Sequence, residues 1–430
     1  MNAVIPLEQK YSNKRILITQ NQLINFAGSE IVTLEIAEYF SKNGAEVIIA
    51  TNSLGDPMMT RLSGLSNTEI YVLPNVDLEE RLDRNPVDFA WIHHQLMPRS
   101  LFSKKSLEHT KYVFHHMSPY HPTEFPVFSE IEANIADAIL FNSPETERET
   151  FRQGVLADIE GFEGVLGNPS PDIFLRIGNN RIQKRETPKK ILIISNHIVP
   201  ELMEARDILQ SRGLEVETYG AQTDTYKLIE PSDFYDIDVV VTIGKTVQYA
   251  ILYGVPVYCY DHFGGPGYIV ADNYDSSRER NFSGRNGEKK DANTIVEEIL
   301  EQYTSARIFF VDMNQNQVDE FRLPIKIDEI YQKVMKHRIK RRLVKHSQIV
   351  GLGKVNELNK IIQEILRSSD RDYHDLEHVK NNLEEECRNV SSRLESKEVL
   401  LERVLNSVSY RVGRFITSPL RFIRYIFMNR

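Results

Sequence analysis

The sequence predicts an α/β fold: two doubly wound parallel-sheet domains in tandem, followed by a helical extension. Three observations carry this. Apolar runs of strand length alternate with amphipathic helical stretches from residue 14 to about residue 270. The alternation stops at a polar, basic segment, RIQKRETPKK, and then restarts. Beyond about residue 329 the chain becomes strongly charged, with apolar residues spaced three or four apart. The expected divisions are 1–175, 188–335, a long amphipathic region 336–408 and a basic amphipathic tail 409–430.

In the first half, RILIT is a short apolar run suited to a strand buried on both faces. AGSE follows, and Ile31, Leu34, Ile36, Ala37 and Phe40 then form one broad helical face that ends at Gly44. EVIIA is the next strand, and IYVLP, FAWIHH, KYVFHH and AILFNS continue the series. In the second half, ILIIS is a strand, 201–212 a helix and LEVETYG a strand. DVVVTIG, a helix near 246–253, and VPVYCYD complete the set. The halves share an architecture and no sequence repeat.

Composition narrows the function. At 430 residues, 41% hydrophobic and 26% charged, the chain reads as ordinary globular protein. A net charge of −9 argues against a nucleic-acid binder. Cys259 and Cys387 are too few for a disulfide framework and suit a reducing compartment. The N-terminus has no signal-peptide pattern, and no apolar run reaches the length of a spanning helix. A cytoplasmic protein is expected.

IGKTVQYAILYGVPVYCYDHFGGPGY, residues 243–268, contains a GKT, but the position five before Gly244 is Val239, inside a strand. It is therefore no P-loop. What remains is a strand end, a turn at Gly244 and a helix start, where backbone N–H groups favour an anion and Lys245 and Thr246 add donors. Gly264 and Gly265 offer a second glycine-rich turn beyond the next strand. Two such turns at strand carboxyl ends, where ligands of open α/β sheets bind, are either a cradle for one diphosphate or ordinary tight turns. DID at 236–238 has the D-x-D spacing of a metal site but precedes a buried strand, and no zinc-type cluster occurs. No metal is expected.

AGSEIVTLEIAEYFSKNGAEVIIAT, AILFNSPET, VLGNPSPDIF and DVVVTIGKTVQYAILYGVPVYCYD, in that order, resemble the GT-B glycosyltransferases with two Rossmann-like domains, and most of all family 4 of bacterial surface-polysaccharide type. The resemblance covers about residues 14–270. It implies an acceptor domain first and a nucleotide-sugar domain second, with the donor as substrate and no further cofactor. Gly28 and Ser29 would then meet the donor phosphates in the first loop. His116, or its neighbour His115, would lie near the transferred sugar. Gly244, Lys245 and Thr246 would face the diphosphate, with Gly264 and Gly265 close by. The sequence departs from the family where two glutamates are expected, at Val241 and Tyr249. The ribose acceptor, the donor and the stereochemistry are therefore open.

Diphosphate departure needs preorganised positive charge, for which Lys245 and then Arg285 are the candidates, and an inverting route needs a base, for which His116 serves. Burial at strand ends is the alternative for His93, His94, His115 and His116. The acceptor is expected to be a glycan or a lipid-linked molecule. A nucleotide-sugar epimerase or a non-catalytic scaffold on the same fold are the other readings.

The apolar series Leu376, Val379, Leu383, Cys387, Val390 and Leu394 leaves two options for 354–408: self-association, or packing on the protein's own domains. Glu386, Arg393 and Lys397 break a strict heptad. The tail 409–430 carries five arginines, no acid and many aromatics, which suits the anionic inner face of a membrane.

Overall fold

A computed structural model describes residues 9–153, 159–175, 185–221, 223–285, 287–337, 339–341, 343–368, 396–400 and 402–403. Met1–Lys360 form one compact unit and Ile361–Arg430 another. The helical series around Leu376–Leu394 with Cys387, and the tail 409–430, lie outside the described residues.

The first sheet has seven strands: β1 (Arg15–Leu23), β2 (Glu46–Leu54), β3 (Thr68–Val72), β4 (Phe89–His93), β5 (Lys111–His116), β6 (Ala138–Phe141) and β7 (Phe162–Val165). Their order is β3-β2-β1-β4-β5-β6-β7, and every neighbouring pair is parallel. The crossovers carry α1 (Gly28–Lys42), α2 (Met58–Ser63), α3 (Val76–Arg84), α4 (Lys104–His109), α5 (Ser129–Ile135) and α6 (Pro144–Arg152). Strand residues alternate between two cores: Ile16 and Ile18 enter one, Leu17 the other. A sheet covered on both faces requires such apolar runs.

The second sheet is built from β8 (Lys190–Ile194), β9 (Glu215–Tyr219), β10 (Val239–Thr242), β11 (Val257–Asp261) and β12 (Gly264–Tyr268), in the order β12-β11-β10-β8-β9. Around it lie α7 (Pro200–Ser211), α8 (Lys245–Tyr253), α9 (Ala271–Glu279), α10 (Ala292–Glu301), α11 (Tyr303–Asp312), α12 (Gln315–Asp319) and α13 (Leu323–Lys336). Four strands are parallel; β12 runs antiparallel to β11. Two Rossmann-like sheets in tandem are the GT-B architecture, so the expected fold class holds.

Two elements differ from expectation. The glycine-rich FGGPG segment is no open turn but edge strand β12. A Cβ on Gly265 would stand 1.9 Å from the Cys259 carbonyl oxygen, and one on Gly264 2.6 Å from that of Glu288. The glycines let three backbone segments close on one another. Helix α13, expected to close the second domain, instead buries Leu323, Ile327, Ile330 and Val334 in the core of the first. Their 4-3-4 spacing makes one stripe, and each buried side chain contributes roughly 1.5–3 kcal/mol. Asp328 fixes the packing by accepting from Tyr11 Oη at 2.5 Å and Tyr39 Oη at 2.7 Å.

Candidate functional site

The carboxyl ends of the second sheet face a cleft of about 340 Å³, closed on the other side by Phe26, Ala27, Gly28 and Ile31 of the first loop and helix. Each strand contributes where it ends: Ser195, Asn196 and His197 after β8, Gly220 after β9, Thr242 to Thr246 after β10, and Asp261 and His262 at the end of β11. Loop residues Tyr226 and Lys227 complete the wall. Tyr226 Oη accepts the Phe26 amide at 2.6 Å, so the two domains meet directly at this rim.

Gly244 turns the chain from β10 into α8 with φ 61° and ψ −130°, a conformation that L side chains rarely adopt. No side chain caps α8, and Gly244, Lys245 and Thr246 at its amino terminus line the cleft. Gly28 opens α1 with nothing within 4 Å of where a Cβ would stand. Ser29 is not a cleft residue; its carbonyl accepts from Thr33 Oγ1 at 3.0 Å.

Lys245 lies beside the cleft, but its ammonium is engaged. Nζ is 2.6 Å from Glu35 Oε2 and donates to the Pro169 carbonyl at 2.5 Å and the Asn168 carbonyl at 3.2 Å. Tyr249 donates to the same Glu35 carboxylate and stacks on Phe174, with ring centroids 4.1 Å apart. Burial raises the Glu35 carboxyl and lowers the Lys245 ammonium, each opposed by the attraction of the other. Where the family resemblance led us to expect a glutamate, Tyr249 thus belongs to an interdomain clasp. Val241 is wholly in the core.

Arg285 is likewise spoken for: it donates to Glu145 at 3.2 Å and sits over the rings of Tyr120 and Phe263 at 5.1 and 5.3 Å. It does not line the cleft, and neither do Gly264 and Gly265, which serve β12.

The histidines cluster at the carboxyl ends of β4 and β5. His93 Nδ1 bonds the Thr19 carbonyl at 2.9 Å, and its Nε2 is 3.1 Å from His115 Nδ1 and accepts from Trp91 Nε1 at 3.3 Å. These contacts fit His93 and His115 both protonated on Nδ1. Burial lowers His93 to about 4 and holds His115 and His94 well below the ordinary imidazole range. His116 Nε2 is 2.8 Å from Glu132 Oε2 and its ring stacks on Phe141. None of the four lines the cleft.

Asp236 and Asp238 of the D-x-D pattern sit at the opposite, amino-terminal end of β10. Arg185 pairs with both, at 2.8 and 2.9 Å. Among the described residues no group of three or more His, Cys, Asp or Glu side chains could hold a metal ion.

Sequence reasoning missed Glu35, His197, Asp261 and His262. Asp261 and His262 follow VPVYCY directly, and ILIIS runs into Asn196 and His197, so a search for polar residues at strand carboxyl ends finds them. Glu35 gives no such signal, since it sits within an ordinary helical pattern.

No protein-family model matches the chain, and no curated protein does. Among solved structures it is similar to a sucrose-phosphate synthase from Thermosynechococcus elongatus, with 12% identity and a TM-score of 0.42 over 75% of this chain and 99% of that one. A putative UDP-N-acetylglucosamine 2-epimerase from Listeria monocytogenes gives 12% and 0.42 over 77% and 99%. WaaG, a glycosyltransferase involved in lipopolysaccharide biosynthesis, gives 13% and 0.40 over 73% and 99%.

Proposed function

We propose that the protein is a glycosyltransferase that takes a nucleotide-diphosphate sugar in the interdomain cleft and passes the sugar to a glycan or lipid-linked acceptor in cell-surface polysaccharide synthesis. The observation that carries this is the convergence of four strand ends, the strained Gly244 turn and the α8 amino terminus on one cleft. Such a site meets the charge of a departing diphosphate with preorganised dipoles. Gly28, Gly244 and Thr246 are assigned to the donor. Lys245 holds the wall they stand on, and His116, backed by Glu132, is assigned to the acceptor side.

The engaged state of Lys245 and Tyr249 favours a second reading, a non-catalytic scaffold on the same fold. Incubation of the full chain with nucleotide-sugars and candidate acceptors separates the readings. Sugar transfer supports the proposal, an epimerised donor identifies an epimerase, and an unchanged donor with a folded protein supports the scaffold.

The cytoplasmic, peripheral placement at the inner membrane face is assigned to 409–430, and self-association to 354–408. Among the described residues no helix is long and apolar enough to cross a membrane. Sedimentation of the full chain with anionic liposomes, compared with a chain ending at 405, tests the tail; equal pelleting refutes it.

A further inference from the structure

The cations expected to neutralise a diphosphate are occupied. Lys245 is held by Glu35, Arg285 by Glu145, and Lys227, which lines the cleft, by Asp233. The other cationisable cleft side chains among the described residues are His197 at the end of β8 and His262 at the end of β11, the latter beside the Asp261 carboxylate. Their ring centroids are 5.8 Å apart although β10 separates their strands. Both are exposed, His262 by 41% of its side chain.

One buried carboxylate sets both loops. Asp261 Oδ1 accepts from Ser195 Oγ at 3.1 Å and from the His262 amide at 2.8 Å. Ser195 Oγ in turn accepts the His197 amide at 3.0 Å. Asp261 is therefore a positioning residue for two imidazoles that flank the amino terminus of α8.

We infer that His197 and His262 form a proton-dependent clamp for the terminal phosphate of a nucleoside diphosphate, with Asp261 holding the clamp open. The inference rests on the donor reading of this cleft. A centroid separation of 5.8 Å is a span that one phosphate group can bridge. Two nearby imidazolium ions repel each other, so an anion between them favours uptake of protons. The charged side chains that line the cleft with the pair are Asp261, whose Oδ2 is 3.6 Å from His262 Nδ1, Lys245, which is paired with Glu35, and Lys227, which is paired with Asp233. The Phe263 ring stands 3.9 Å from that of His262.

The test is calorimetry of the full chain with pyrophosphate and with a panel of nucleoside diphosphates, at pH 5.5 and 8.0, for the wild type and a His197→Asn/His262→Asn double variant. A thermal melt of each confirms folding. Taking the ratio of wild-type to variant affinity cancels the ligand's own titration. The clamp predicts a ratio of about tenfold or more at pH 5.5, falling towards one at pH 8.0 as the imidazoles lose their charge. It also predicts proton uptake on binding, read from buffers of different ionisation enthalpy, that the variant lacks. Equal affinities at both pH values overturn the clamp; if a nucleoside diphosphate still binds, the donor cleft stands without it. Histidine-dependent binding of pyrophosphate with no gain from any nucleoside keeps the clamp and overturns the donor reading. No binding of either ligand by folded protein overturns both.

Discussion

At the scale of single residues, the Glu35–Lys245 pair is the most consequential contact. A buried ion pair loses about 3–5 kcal/mol when one partner is removed, because the other charge is left without compensation. Lys245→Ala is expected to lower the unfolding free energy by that amount in denaturant titrations. A Glu35→Gln/Lys245→Met double variant is expected to recover most of it, since neither charge is then buried alone. The histidine cluster sets a pH dependence. His93 is held at about 4 in the folded protein. Between that value and the ordinary imidazole range the unfolded chain binds more protons than the folded one, so stability rises with pH through this window. Glu124 acts in the opposite sense: burial raises it to about 8, so the folded state holds an extra proton above the ordinary carboxylate range and stability falls as pH rises towards 8. A melting-temperature profile is expected to climb from pH 4 to 6. Its alkaline decline is expected to flatten in Glu124→Gln.

At the scale of elements, β12 and α13 show what the sequence could and could not say. Gly265→Ala pushes a methyl group into the Cys259 carbonyl. It is expected to cost at least the upper end of the roughly 1–3 kcal/mol of overpacking and to free the β12 edge, which amide hydrogen exchange at β11 reads directly. Ile327→Ala in α13 is expected to cost about 2–5 kcal/mol and to loosen the first domain. Most strands of both sheets were legible because runs such as RILIT, KYVFHH and DVVVTIG carry their burial in composition, whereas β7, short and only half-buried, has no such run. The role of FGGPG was not, because glycines demanded by close backbone approach and glycines demanded by a ligand look the same in one dimension. The docking of α13 was hidden for a related reason. Its stripe at 323, 327, 330 and 334 announces a helix with one buried face, but nothing local says which core receives it. Gly244 and Gly28 were found from the turn-to-helix pattern, whereas the partners of Lys245 and Arg285 lie far away in sequence and left no trace near either residue.

At the scale of the whole first unit, the two Rossmann-like domains are joined by polar contacts: Lys245 and Tyr249 on Glu35 and Tyr226 on Phe26 beside the cleft, and Arg280 and Arg285 on Glu145 away from it. On the proposed reading, donor binding and the relative position of the domains are linked through α8, whose first turn lines the cleft and whose side chains hold the clasp. Glu35→Gln removes the counter-charge without emptying the space. It is expected to alter the affinity for a nucleoside diphosphate more than that for pyrophosphate, because on the proposed reading the nucleotide meets the first loop, which the clasp holds against the second domain. The central claim is that this cleft binds a nucleoside diphosphate, and calorimetry of the full chain against UDP, GDP, dTDP and ADP tests it most directly. The account predicts saturable binding of one of them, weakened more than tenfold in a folded Gly244→Ala variant whose α8 amino terminus can no longer take the strained turn. Absence of binding by folded wild-type protein, or equal affinity in that variant, would contradict it.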